Sequence, residues 1–154
     1  MSIIDTSSTK GDSIEVLLRQ IGATKITKVK GYLYFIKFNI DEIEITYTYN
    51  INHKNQYFLQ RIEPYPLGKG VFNNEIEIVS FIKKDISKFK AAKQLIDFDK
   101  FLNLNNKVAD LTTKLEHLFL NYDVSSIDIE KLQSMLDSFG KEVNDLRKNS
   151  RKVK

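Results

Sequence analysis

The stretch from Tyr32 to Ile51, YLYFIKFNIDEIEITYTYNI, decides the fold. In its first half Tyr32, Tyr34, Ile36, Phe38 and Ile40 alternate with Leu33, Phe35, Lys37 and Asn39. After Asp41-Glu42, the set Ile43, Ile45, Tyr47, Tyr49 and Ile51 alternates with Glu44, Thr46, Thr48 and Asn50. A period of two sustained over this length predicts two strands, each with one apolar face, joined by a tight turn at Asp41-Glu42. Asn52-His-Lys-Asn55 reads as a polar hairpin loop leading to a third strand over 56–63, and β-branched and aromatic residues suit all three segments. A weaker fourth strand is drawn over 25–30. The expected product is an antiparallel meander of three to four strands with one covered face.

Upstream, residues 1–11 read as a flexible leader, with 2–4 adding a short strand. Asp12 or Ser13 caps a helix over 13–21 in which Ile14, Leu17, Leu18 and Ile21 form one buried stripe, and Gly22 supplies the stop. Downstream, Pro64-Tyr-Pro66-Leu-Gly68-Lys-Gly70 is expected to break regular structure and end the sheet, because proline cannot donate to a ladder. Asn73 or Asn74 then caps a covering helix with Ile76, Val79, Ile82, Ile86 and Phe89 at helical spacing. Residues 91–104 are apolar without a clean period and read as a connector packed on the core.

The last third is the most regular. Val108, Leu111, Leu115, Leu118 and Tyr122 step by three and four, and after Asp123-Val-Ser-Ser126 the set Ile129, Leu132, Leu136, Phe139, Val143 and Leu146 repeats the pattern. Such heptad seams predict an antiparallel hairpin of two helices over 105–149 in which each seam covers the other. The other solution to the same pattern is a homodimer through these helices. The fold class expected is therefore α+β: N-terminal helix, β-meander, covering helix, C-terminal two-helix hairpin. In domain terms this gives the leader 1–11, an α+β domain 12–104, the hairpin 105–149 packed on it or projecting, and a basic tail 150–154.

Composition narrows function. The 154 residues include no cysteine and only two histidines, which removes disulfides, thiolate metal sites and cysteine nucleophiles and leaves little for zinc. No apolar run approaches the roughly 18 residues of a membrane span, and the start lacks a secretory signal, so a cytoplasmic protein without a membrane partner is expected. Richness in Asn, Ile and Lys points to AT-rich coding DNA of the kind found in bacteria, phages and mobile elements. The net charge of +4 is uneven. Residues 147–154 contribute +5, leaving 19 basic against 20 acidic residues elsewhere. Within that remainder, 16–40 carry +5, 81–93 carry +4 and 94–146 carry −5.

Two patterns point toward RNA. Lys30-Gly31-Tyr32-Leu33-Tyr34 resembles the opening of the RNA-recognition-motif consensus, but Leu33, Phe35 and Lys37 occupy places where that consensus has a small, an aliphatic and an aromatic residue. The order helix, strands, helix over 12–90 resembles a double-stranded RNA-binding domain in layout alone. That family grips phosphates at the start of its second helix, whereas Lys83, Lys84, Lys88, Lys90 and Lys93 here follow the acidic Glu75 and Glu77. No family is recognised. For catalysis, His53 sits in a hairpin loop and His117 beside Glu116, Asp97-Phe-Asp99 lacks further oxygen ligands, and Gly68-Lys-Gly70 is too short for a phosphate loop. No catalytic residue, metal site or cofactor is assigned.

The expectation is a non-enzymatic interaction protein: a small adaptor, regulator or inhibitor binding a macromolecule, foremost a protein, through the sheet face, the hairpin, or both. Leu33, Phe35 and Phe58 are the partner-binding candidates, because they are apolar on the face that should be polar. The alternative is a nucleic-acid-binding regulator using the basic stretches 25–37 and 83–93 and the tail, with Lys28, Lys30, Lys84, Lys88, Arg147, Lys148, Arg151 and Lys152 as contacts. Nucleic acid is otherwise expected to bind only weakly.

Overall fold

A computed structural model describes residues 9–27, 31–95 and 97–152, and the chain divides into two compact units, Met1–Gly31 and Tyr32–Lys154. The first unit holds helix α1, Thr9–Gln20. It starts inside the expected leader and ends as predicted, with Gly22 at φ +102°. The Gly22 N–H donates to the Arg19 carbonyl at 3.1 Å and the Ala23 N–H to Leu18 at 3.0 Å, a Schellman closure. Among the described residues α1 is the unit's only element, so the stripe from Ile14 to Ile21 finds no cover within it. Residues 25–27 form no strand, and the rest of the expected 25–30 strand lies outside the described residues, as do 1–8.

The second unit opens with a four-stranded antiparallel sheet in the order β1-β2-β3-β4: β1 Leu33–Ile40, β2 Ile43–Ile51, β3 Tyr57–Glu63 and β4 Leu67–Phe72. The β1–β2 register pairs Ile40 with Ile43 across a two-residue turn in which Asp41 and Glu42 both have positive φ, the twist a tight hairpin requires. The fourth strand corrects the sequence reading: it is β4, not 25–30. Pro64 and Pro66 lie in the connection, with the Glu63-Pro64 peptide cis, and β4 is an edge strand that loses little by containing glycines. The β3–β4 register jumps from Leu59↔Gly70 to Gln60↔Gly68, leaving Lys69 as a bulge residue.

Helix α2, Glu75–Leu95, covers the inner face and meets β3 and β4. Its start is doubly capped: Asn74 Oδ1 accepts from the Glu77 N–H, and Glu77 Oε2 accepts from the Asn73 N–H, both at 2.9 Å. The core comprises Ile40, Ile43, Ile45, Tyr47, Leu59, Ile78, Ile82, Phe89 and Phe98. Ile78, Ile82 and Phe89 form the inward stripe of α2, whereas Ile76 and Val79, expected there, are exposed. The expected connector 91–104 is almost entirely helical: α2 runs to Leu95 and α3 occupies Phe98–Asn121. Asp97 caps α3 by accepting from the Lys100 N–H at 3.2 Å, and Phe98, Phe101 and Leu102 dock its first turn on the core.

Helix α4, Ser126–Asn149, follows the 122–125 turn where the heptad pattern puts it, capped by Ser125 Oγ accepting from the Asp128 N–H. The overall class is α+β, as the sequence predicts. Burial along the two seams is only partial: Leu115, Leu118 and Leu132, nearest the turn, are half-buried. Phe98 is the only buried residue of α3, α4 has none, and Leu111, Leu136, Phe139 and Val143 are each roughly half exposed. Extended backbone at Tyr122 and Ser125 carries the chain out of one helix and into the next. No described helix is long and apolar enough to cross a membrane.

Candidate functional site

The outer face of the sheet gathers the partner-binding candidates. Antiparallel register places Leu33 opposite Asn50, Asn50 opposite Phe58 and Phe58 opposite Val71, one row across all four strands. Phe35 stands two residues along β1 on the same face, opposite Thr48. Their exposures are 59% for Leu33, 66% for Phe35, 45% for Phe58 and 52% for Val71. At about 4.8 Å between strands, the row spans roughly 14 Å. Sequence reasoning missed Val71 because it ended the sheet at the Pro64–Gly70 break just before it, and only the β3–β4 register sets Val71 opposite Phe58. Thr46 and Thr48, on the same face of central β2, are buried between flanking strands, so the apolar side chains ring a short-side-chained floor.

The inner face carries a polar network that no sequence motif indicated. Arg61, 2% exposed, projects from β3 with its guanidinium carbon 4.3 Å from the Tyr65 ring centroid and 4.7 Å from that of Phe89. Its Nη1 meets Asp85 Oδ2 at 2.9 Å, and the Tyr47 hydroxyl donates to the same oxygen at 2.8 Å. Lys69 Nζ, turned inward at the β4 bulge, stands 3.8 Å from Asp85 Oδ1. Burial, then the hydrogen bond to the Asp85 carboxylate and its charge, push the Tyr47 hydroxyl well above the ordinary tyrosine value. Burial and the Arg61 charge pull Lys69 below the ordinary lysine value, against the opposing pull of Asp85. Arg61 Nη2 is buried without a hydrogen-bond partner. The network joins β2, β3, β4 and α2, and is enclosed by the core, which makes it an anchor for the sheet–helix packing.

The basic candidates fall into two groups. Lys84 and Lys88 are exposed on α2, where with Ser80, Lys83 and Ser87 they line a shallow open hollow. Arg147 and Lys148 occupy the last turn of α4, and Arg151 and Lys152 follow it. Lys28 and Lys30 lie outside the described residues. A second hollow beside the β1–β2 turn has an acidic rim of Glu42, Glu44, Glu63 and Asp99. Lys37 bonds Glu44 at 2.8 Å and lowers its carboxyl pKa.

The remaining sequence candidates have structural places. His53 is exposed in the β2–β3 loop, the His117 ring lies 5.8 Å from that of Tyr122, Asp97 is a helix cap, and Gly68-Lys69-Gly70 forms the bulged middle of β4. Among the described residues no group of three or more His, Cys, Asp or Glu side chains is placed to hold a metal ion. Compared with known proteins, the chain matches no family model, no curated protein and no solved structure.

Proposed function

We propose that this is a non-enzymatic interaction protein, an adaptor, regulator or inhibitor, that binds a protein partner through the outer face of its sheet, with the C-terminal helices as a second surface. The observation that carries the reading is the row Leu33, Phe58 and Val71 with Phe35 beside it, four large apolar side chains held open on a rigid sheet. Apolar side chains left contiguous on a surface are a recurrent mark of interfaces, and aromatic anchors over short neighbours supply the pockets where binding energy concentrates. Because these side chains face away from α2 and the core, replacing them tests binding with little cost to folding. Phe35→Asp combined with Phe58→Asp is expected to keep the circular dichroism spectrum and to lose the proteins that co-purify with the wild-type chain in a nuclease-treated pull-down. Retention of the same proteins by the double variant overturns the reading.

The second reading, a nucleic-acid-binding regulator, is favoured by one specific observation: Ser80, Lys83, Lys84, Ser87 and Lys88 share one exposed face of α2. Two hydroxyls among three ammonium groups suit phosphate oxygens. A ligand released by nuclease treatment, with protein partners unaffected by the Phe35 and Phe58 replacements, would place this reading first.

A further inference from the structure

We propose that the free edge of β1 takes one extended segment of a protein partner, added to the sheet as a further strand. This rests on the sheet-face reading above and names how the partner binds. Among the described residues the strand order ends at β1, so one side of its backbone carries no ladder. The hairpin fixes which groups lie on that side. Asp41 and Glu42, at φ +44° and +71°, close a two-residue turn of the I′ kind, which makes Ile40 and Ile43 a hydrogen-bonded pair. By the alternation of an antiparallel ladder, Tyr34, Ile36 and Phe38 bond to β2, while Leu33, Phe35, Lys37 and Asn39 turn their N–H and C=O groups to the open edge. A row of main-chain donors and acceptors at this spacing is matched by another extended backbone. Leu33 and Phe35 thus offer main-chain groups to the edge and exposed apolar side chains to the outer face, so an added strand prolongs the row that runs through Phe58 to Val71.

The two edges of the sheet are not alike. The strand β4 follows Pro66, contains Gly68 and Gly70 and bulges at Lys69, features that spoil edge pairing. The strand β1 pairs with β2 from Leu33 to Ile40 without a register shift and contains neither proline nor glycine. Its charged side chain, Lys37, reaches across to β2, where Nζ meets Glu44 Oε1 at 2.8 Å, and so does not guard the edge. Side-chain pairing selects a foreign strand over a second copy. Antiparallel pairing of β1 with itself over most of its length sets Leu33 or Phe35 against Lys37 or Asn39, or Lys37 against Lys37. The segment that fits has apolar residues opposite Leu33 and Phe35 and a polar residue opposite Lys37.

The probe is a blocked synthetic peptide of about nine residues that alternates valine and threonine, its valines meant for the outer face beside Leu33 and Phe35. In the free chain the Phe35, Lys37 and Asn39 amides are expected to exchange rapidly with deuterium, and those of Ile36 and Phe38 slowly. Peptide should slow the first set about tenfold or more, with a Kd of about 100 µM. Methylating its valine nitrogens should abolish binding, and methylating its threonine nitrogens should not. Lys37→Pro removes an edge donor but no bond to β2, so it should keep the circular dichroism spectrum and weaken the peptide about tenfold. If that variant fails to fold, the methylated peptides decide alone. Fast exchange of those amides at about 1 mM peptide overturns the proposal, as does equal binding of the two methylated peptides. Slow exchange of those amides in the free chain also overturns it: in a monomer the chain's own backbone fills the edge, and in a sedimenting dimer a second copy does. A folded Lys37→Pro variant that still captures the partners lost by the Phe35 and Phe58 replacements removes the added strand and leaves the sheet-face reading standing.

Discussion

Arg61 is the most expensive side chain to place in this core, and its surroundings explain how it is tolerated. Two aromatic faces take the guanidinium, while Asp85, shared with Tyr47, takes its charge. Removing one partner leaves the other charge buried, so Asp85→Ala is expected to destabilise the protein by about 3–5 kcal/mol. Replacing both at once, Arg61→Met with Asp85→Leu, should cost much less than the sum of the two single changes; urea denaturation of the three variants measures the coupling. Tyr47 gives the network a pH signature. Its folded-state pKa is raised by burial and by the Asp85 carboxylate. The folded state therefore holds the phenolic proton more tightly than the unfolded chain, whose tyrosine titrates near about 10. The contribution is fully present below that pH and is lost as pH rises from the unfolded value toward the folded one. Thermal melts between pH 9 and 11, about the unfolded tyrosine value, are expected to show a drop in melting temperature that Tyr47→Phe reduces.

At the scale of elements, α4 stands apart because none of its side chains is fully buried. A helix of 24 residues with no fully buried side chain is marginal in water, and Gly140 in its middle weakens it further. A Cβ added at Gly140 meets no atom within 4 Å, and the residue is helical. Gly140→Ala is therefore expected to stabilise α4 by about 0.5–1 kcal/mol, read as increased helical circular dichroism and slower amide exchange over 126–149. Which elements were legible follows from what makes each form. The two strands within 32–51 rest on their own alternation, and α4 on its heptads and on Ser125, so sequence suffices for them. The strand β4 depends on β3 to accept Gly68, Gly70 and a bulge, information that no local pattern contains. The face of α2 was misjudged for a related reason. The inward row Ile78, Ile82, Asp85 and Phe89 includes a charge, and only the partner Arg61 on β3 makes that charge an inward residue. Counting apolar side chains alone rotated the stripe toward Ile76 and Val79. Leu33, Phe35 and Phe58 were found because they break a local rule, whereas Val71 joins them only through tertiary register.

Over the whole molecule, the question is whether positive charge is gathered or scattered. Residues 147–154 carry five basic side chains and no acid, while the rest of the chain holds 19 basic against 20 acidic residues. The lysines of α2 share their helix with Glu75, Glu77 and Asp85, and Asp85 is already committed to Arg61. Tight nucleic-acid binding needs several phosphates neutralised together, and each contacted phosphate contributes about 0.9 to the slope of log K against log salt on duplex DNA. An exposed row of lysines on one helix and a short tail on another meet that need only in part. The expected result is weak, non-selective binding to DNA or RNA, with Kd no tighter than about 1 µM near physiological salt. Deleting 149–154 removes Arg151, Lys152 and Lys154 and should lower the salt slope by no more than about 2.7, with the fold unchanged. An anisotropy titration over a range of salt concentrations measures both quantities. Nanomolar, structure-selective binding that Lys84→Glu with Lys88→Glu abolishes would instead make the α2 face the primary site. In that case the apolar row on the sheet would need an explanation other than the main partner.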